Sequence, residues 1–111
     1  WLQEGDLAGE QWSGEAEYHF WVSPMMLHEP AYPWIEPGER VYIVAHGKLR
    51  GYAPFVRREV PCTLRPNRVC LVRRGDAVAV TIDEPIRGFQ GWRKRWWDRE
   101  DELPFPDWRE P

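Results

Sequence analysis

Between Trp92 and Trp97 the sequence sets Arg93, Lys94 and Arg95 among three indoles, with Arg87 and Phe89 just upstream. Guanidinium groups beside large π faces are the materials for stacking a base and neutralising a phosphate. The same residues suit a second arrangement. In it some tryptophans fill the end of a small β structure, and the arginines pair with Asp98, Glu100, Asp101 and Glu102. In an extended segment Trp92, Lys94 and Trp96 share one face and Arg93, Arg95 and Trp97 the other. In a helix Trp92 and Trp96 still align at a spacing of four.

The remaining reactive side chains are scattered. His19, His28 and His46 fall on a strand, a proline-rich loop and a hairpin tip, positions that suit packing or surface exposure. Cys62 and Cys70 stand seven residues apart and lack the close-paired spacing of a zinc site. Reduced, packed thiols are the first expectation, and a bridge is the alternative if their Cα atoms come within about 6 Å. Asp83 and Glu84 are neighbours, so on a strand they point to opposite faces, and solvating a turn is their expected role. No phosphate-binding glycine loop, nucleophile elbow or histidine-glutamate zinc motif occurs. No cofactor or metal is therefore expected, no catalytic residue can be named, and the chain reads as a binding domain more than an enzyme.

The elements that must position these groups are strands. Pro37-Gly38 predicts a turn, because proline fixes φ and glycine tolerates positive φ, and the apolar run 40–45 after it predicts a strand. Ala45-His46-Gly47 suits a three-residue hairpin loop with Gly47 left-handed, the return strand starting at Lys48. That loop sets Ile43 opposite Leu49 and Val41 opposite Gly51. Val41, Ile43, Leu49, Ala53 and Phe55 then share a core face. The other face would carry Arg40, Tyr42, Val44, Lys48, Arg50 and Tyr52 outward. Further strands are expected at 17–23, 68–73 and 77–82, with the return strand running to Val60 and Pro54 requiring an edge or a bulge. Residues 1–17 and 23–34 show no clean period. The second of these is too short for a substantial helix.

One domain is expected over residues 1–111, large enough for a single modest core. It would be mainly β with minor α, a small partly closed barrel of five or six strands. No apolar run approaches the roughly 18 residues of a membrane span, and no signal-like start is visible, so the default expectation is a cytoplasmic protein. The net charge of −3 conceals segregation. Residues 1–40 carry eight negative charges and one positive, 48–74 carry eight positive and one negative, and 98–111 carry six negative and two positive. The charges either decorate solvated faces or form one basic surface on an acidic protein. The acidic balance disfavours strong, sequence-independent nucleic-acid binding, which depends on neutralising phosphates.

Pro37-Gly38-Glu39-Arg40-Val41-Tyr42-Ile43, followed by Gly47-Lys48-Leu49-Arg50-Gly51-Tyr52, resembles the strand pair of ASCH domains in the PUA-like superfamily. The resemblance covers about a fifth of the chain. It implies a PUA-like pseudo-barrel, an association with RNA or modified bases and, in some members, a hydrolase activity on acylated nucleosides. Residues 23–34 supply neither the lysine nor the helical length that such domains usually carry after their first strand, so no catalytic residue carries over. The expectation is recognition of RNA, single-stranded nucleic acid or a nucleotide between the hairpin's outer face and residues 87–97. Tyr42, Tyr52, Trp92 and Trp96 would stack, while Arg50, Arg93 and Arg95 would hold phosphate or base edges. A protein-interaction module using exposed tryptophan and arginine with the acidic tail from about residue 98 is the alternative, and a hydrolase of a modified nucleoside the third.

Overall fold

The computed structural model describes residues 1–4, 17–22, 35–59, 69–75, 77–88 and 93–110. The stretch 23–34 and Cys62 lie outside them. The described residues form seven strands: β1 (Leu2–Glu4), β2 (Glu17–Val22), β3 (Arg40–Ala45), β4 (Lys48–Glu59), β5 (Val69–Arg74), β6 (Val80–Thr81) and β7 (Leu103–Pro104). The one helical piece among the described residues is a 3₁₀ turn at Arg99–Asp101. No helix among them is long and apolar enough to cross a membrane. The domain is mainly β, built from a five-stranded sheet in the order β1-β3-β4-β5-β2 and a β6-β7 ribbon.

The β3–β4 hairpin is central to the larger sheet, and its turn is tighter than expected. His46 and Gly47 have φ of 49° and 73°. Ala45 pairs with Lys48, so the loop has two residues. Paired positive φ values match the right-handed twist of the flanking strands, as in a type I′ turn. The backbone N–H of Ile86 donates to the Gly47 carbonyl at 2.8 Å and ties the tip to the following chain.

The register also differs from expectation. Val44 faces Leu49, the ladder then slips, and Ile43 faces Gly51, which leaves Arg50 unopposed as a bulge. Leu49 therefore shares a face with Tyr42 and Val44 instead of Ile43. Both faces of the hairpin are interior. One belongs to a cluster of Leu2, Tyr42, Val44, Leu49, Ile82, Ile86 and Trp97, the other to Ile35, Val41, Phe55 and Leu71. The outward basic and aromatic face is corrected accordingly: Tyr42 is 2% exposed, and Val44 and Arg50 are 0%.

β4 changes neighbours along its length. Tyr52 donates to the Val78 carbonyl at 3.0 Å and accepts from its N–H at 2.8 Å, whereas β5 pairs from Phe55 onward. Alternate N–H groups on a strand point the same way. Pro54, two residues after Tyr52, thus aims its missing N–H at the place where β4 passes from one partner to the next, which is how a proline sits in a central strand. Of the strand expected at 77–82, Val78 forms that bridge and Val80–Thr81 pairs with β7. β1, unforeseen, lies parallel to β3 and bridges Arg93 on its other side. Among the described residues no ladder joins β7 to Arg93, and the ring of backbone pairing stays open there.

Among the described residues, cations of the basic middle are spread between the interior and paired surface positions. Arg50 and Arg73 are buried, and Arg57 forms ion pairs of 2.9 Å with both Glu17 and Glu59. Cys70, fully buried on β5, is disulfide-bonded, and Cys62 is the only other cysteine in the sequence. The expectation of reduced thiols is corrected.

Candidate functional site

The open part of the ring is filled by side chains. After the 3₁₀ turn the Glu102 N–H caps Arg99 by donating to its carbonyl at 3.1 Å. The Glu102 side chain turns inward, only 5% exposed. Its Oε1 accepts from Arg40 Nη1 at 2.9 Å, while Oε2 accepts from the Tyr42 hydroxyl at 2.7 Å and from Trp97 Nε1 at 3.0 Å. Arg95 Nη1 stands 3.7 Å from the same oxygen. The Trp97 indole meets the Tyr42 ring edge-on at 5.3 Å, and the Arg40 guanidinium lies 3.9 Å from the centre of the Tyr52 ring. Burial and the bond to Glu102 hold the Tyr42 hydroxyl above its ordinary pKa of 10. It is kept neutral. A saturated carboxylate and a neutral phenol make a structural knot, with no group prepared to act as nucleophile or base.

The residues expected to bind a ligand divide into three groups. Tyr42, Tyr52 and Arg95 gather around Glu102 in this knot. Arg50 serves the tail: Nε donates to the Ala45 carbonyl at 3.0 Å, and Nη1 to the carbonyls of Trp108, at 3.2 Å, and Glu110. Its Nη2 is buried without a hydrogen-bond partner. Arg93 and Trp96 remain at the surface, where the guanidinium carbon sits 4.5 Å from the indole centre. Trp92 lies outside the described residues. Lys94 lies over Trp1 at 5.6 Å and Arg95 over Tyr42 at 5.9 Å, so each cation of the Arg-Lys-Arg run stands on an aromatic ring of its own chain.

The accessible chemistry lies beside this knot. An open cleft of about 360 Å³ is lined by the apolar Ile82, Trp97 and Leu103 and by the carboxylates of Asp83, Glu84, Glu100 and Asp101. A neighbouring cleft of about 320 Å³ shares Ile82, Asp83 and Glu84 and ends at Lys48 and Phe105. Trp96, 45% exposed, donates from Nε1 to Glu84 Oε1 at 2.8 Å and packs edge-on against Trp97 at 5.2 Å. Leu103 is 43% exposed. Sequence reasoning missed this site because its parts come from separate stretches; the mixture of carboxylates and large apolar residues after position 98 was the available signal. Among the described residues no group of three or more His, Cys, Asp or Glu side chains is arranged to hold a metal ion. No family model, curated protein or solved structure matches the chain.

Proposed function

We propose that this chain is a protein-interaction module whose partner surface is the cleft beside Trp96. One observation carries the reading: Leu103, a large apolar side chain nearly half exposed, lines an open cleft with Ile82, Trp97 and four carboxylates, and the equally exposed Trp96 adjoins it through Glu84 and Trp97. Desolvated tryptophans in such settings dominate interface energetics. Photo-crosslinking with the full chain as bait tests the idea. A polypeptide captured by the parent and lost with Trp96→Ser and Leu103→Ser supports it, and a capture profile unchanged by both variants overturns it.

Nucleotide recognition is the second reading, favoured by the surface-exposed Arg93–Trp96 stack. Binding to a single-stranded oligonucleotide would fall with salt by a slope of about −0.7 per phosphate neutralised. No binding at low salt removes it in polymer form. The PUA-like pseudo-barrel and the ASCH resemblance belong to the same level of proposal: the hairpin motif supports them, as does the wrapping of β6, β7 and Arg93 about the Tyr42 side of the sheet. For the compartment, the buried Cys70 disulfide favours an oxidising one over the expected cytoplasm.

A further inference from the structure

We infer that the cleft takes an extended, cationic segment of a partner polypeptide, with lysine or arginine stems laid on Leu103 and Ile82 and their charged heads at the acidic rim. The inference rests on the interaction-module reading and names the partner's chemistry.

Three observations support it. Among the described residues, the carboxylates of Asp83, Glu100 and Asp101 make no hydrogen bond or ion pair, although Arg40, Arg57 and Arg95 elsewhere are paired with acids. Like charges around one cleft repel, and an incoming cation relieves that repulsion. Ile82, Trp97 and Leu103 are the apolar part of the lining, which suits the aliphatic stems of lysine and arginine while their heads meet the carboxylates. Finally, Arg93 already makes the contact a ligand cation would make. Its guanidinium lies over Trp96, and the indole N–H of Trp96 is held by Glu84. A tryptophan face and a carboxylate together are a recognised seat for a cation.

The mode of docking follows from β7. Among the described residues it pairs with β6 alone, and its second residue, Pro104, has no N–H to offer an added strand. The partner is thus gripped through its side chains, with little help from a continued ladder. The excess of acidic over basic residues in the whole chain would speed the encounter at low salt.

A short peptide alternating lysine with valine, compared with counterparts carrying glutamine or glutamate in place of lysine, provides the test by fluorescence anisotropy with the full chain. The lysine peptide should bind about tenfold or more tighter than the glutamine peptide at low salt, and the glutamate peptide weakest of all. The gap should close near 0.3 M salt. It should also close in the triple variant Asp83→Asn, Glu100→Gln, Asp101→Asn, and persist in Glu36→Gln, a carboxylate outside the cleft. Equal binding of the lysine and glutamine peptides, both weakened by Leu103→Ser, overturns the cationic partner and leaves the interaction module standing. A lysine preference that survives the triple variant puts the site elsewhere and overturns the inference. Failure of every peptide to bind also overturns it, and the crosslinking result then decides whether the module reading falls as well.

Discussion

Tyr42 places one hydroxyl between two guanidinium groups and the Glu102 carboxylate, where a phenol would ordinarily be encouraged to ionise by the cations and discouraged by the acid. Burial and the acid prevail, and the pKa is raised above 10. The sign of the linkage follows. Below pH 10 the folded and unfolded states both hold this proton, so the stabilising bond is fully present; as pH rises through the folded pKa, the unfolded state releases the proton first and stability falls. Tyr42→Phe should cost about 1.5–3 kcal/mol at neutral pH, the worth of a hydrogen bond to a charged group. The difference from the parent should shrink in urea melts taken from pH 8 upward past 10. A constant difference across that range would mean that Tyr42 does not carry the alkaline loss. Tyr42 stood out in the sequence as an aromatic on a strand. That it faced inward was not legible, because both faces of the hairpin are interior and alternation by itself marks only one of them as core.

The tight turn is the element on which the hairpin's register depends. His46 holds φ at 49°, a conformation that asparagine adopts with less strain than histidine. His46→Asn should raise stability by several tenths of a kcal/mol. Gly47→Ala should lower it by about 1 kcal/mol. A Cβ there would meet nothing nearer than the Ile86 carbonyl at 3.8 Å, so the cost is conformational. Thermal melts of both variants check the pair. Equal melting of Gly47→Ala and the parent would rule out the left-handed turn. The bounds of β3 were readable from its apolar run. The loop was not, since Ala45 fits a strand end and a loop equally well and nothing in Leu49-Arg50-Gly51 announces a slipped ladder. β1 escaped notice for a related reason: three residues beside acidic chain have no period, and only their pairing with β3 makes them a strand. The cysteine spacing allowed both redox states, so composition alone could not choose the bond that Cys70 makes.

The whole molecule is closed by its tail. Residues 103–110 are held by the two-residue β6–β7 ladder, the Phe105 N–H on the Ala79 carbonyl at 3.2 Å, and Arg50 beneath the carbonyls of Trp108 and Glu110. Deleting residues 103–110 should lower the melting temperature by several degrees, because it uncovers apolar surface worth roughly 25 cal/mol per Å². Arg50→Ala, harmless if that side chain faced water, should instead cost about 2–4 kcal/mol by leaving a cavity and three carbonyls without their donor. Combined, the two changes should cost less than their sum, since both release the same contact. Strict additivity would show that Arg50 does not hold the tail. The acidic character of the tail was legible in the sequence. The cleft was not, because only the fold brings residues 82–84 to residues 97–103.

β1 has a further consequence, for the order of events on the ribosome. Leu2 is fully buried between β3 on one side and Arg93 on the other, yet it is translated long before either. At about 5–20 residues/s, the interval between synthesis of Ala45 and of Arg93 is on the order of 2 to 10 s. During that time the nascent hairpin leaves Tyr42, Val44 and Leu49 without the partners that later cover them. β1 can pair with β3 once Ala45 is made, but the second side of Leu2 stays uncovered until the chain reaches Arg93.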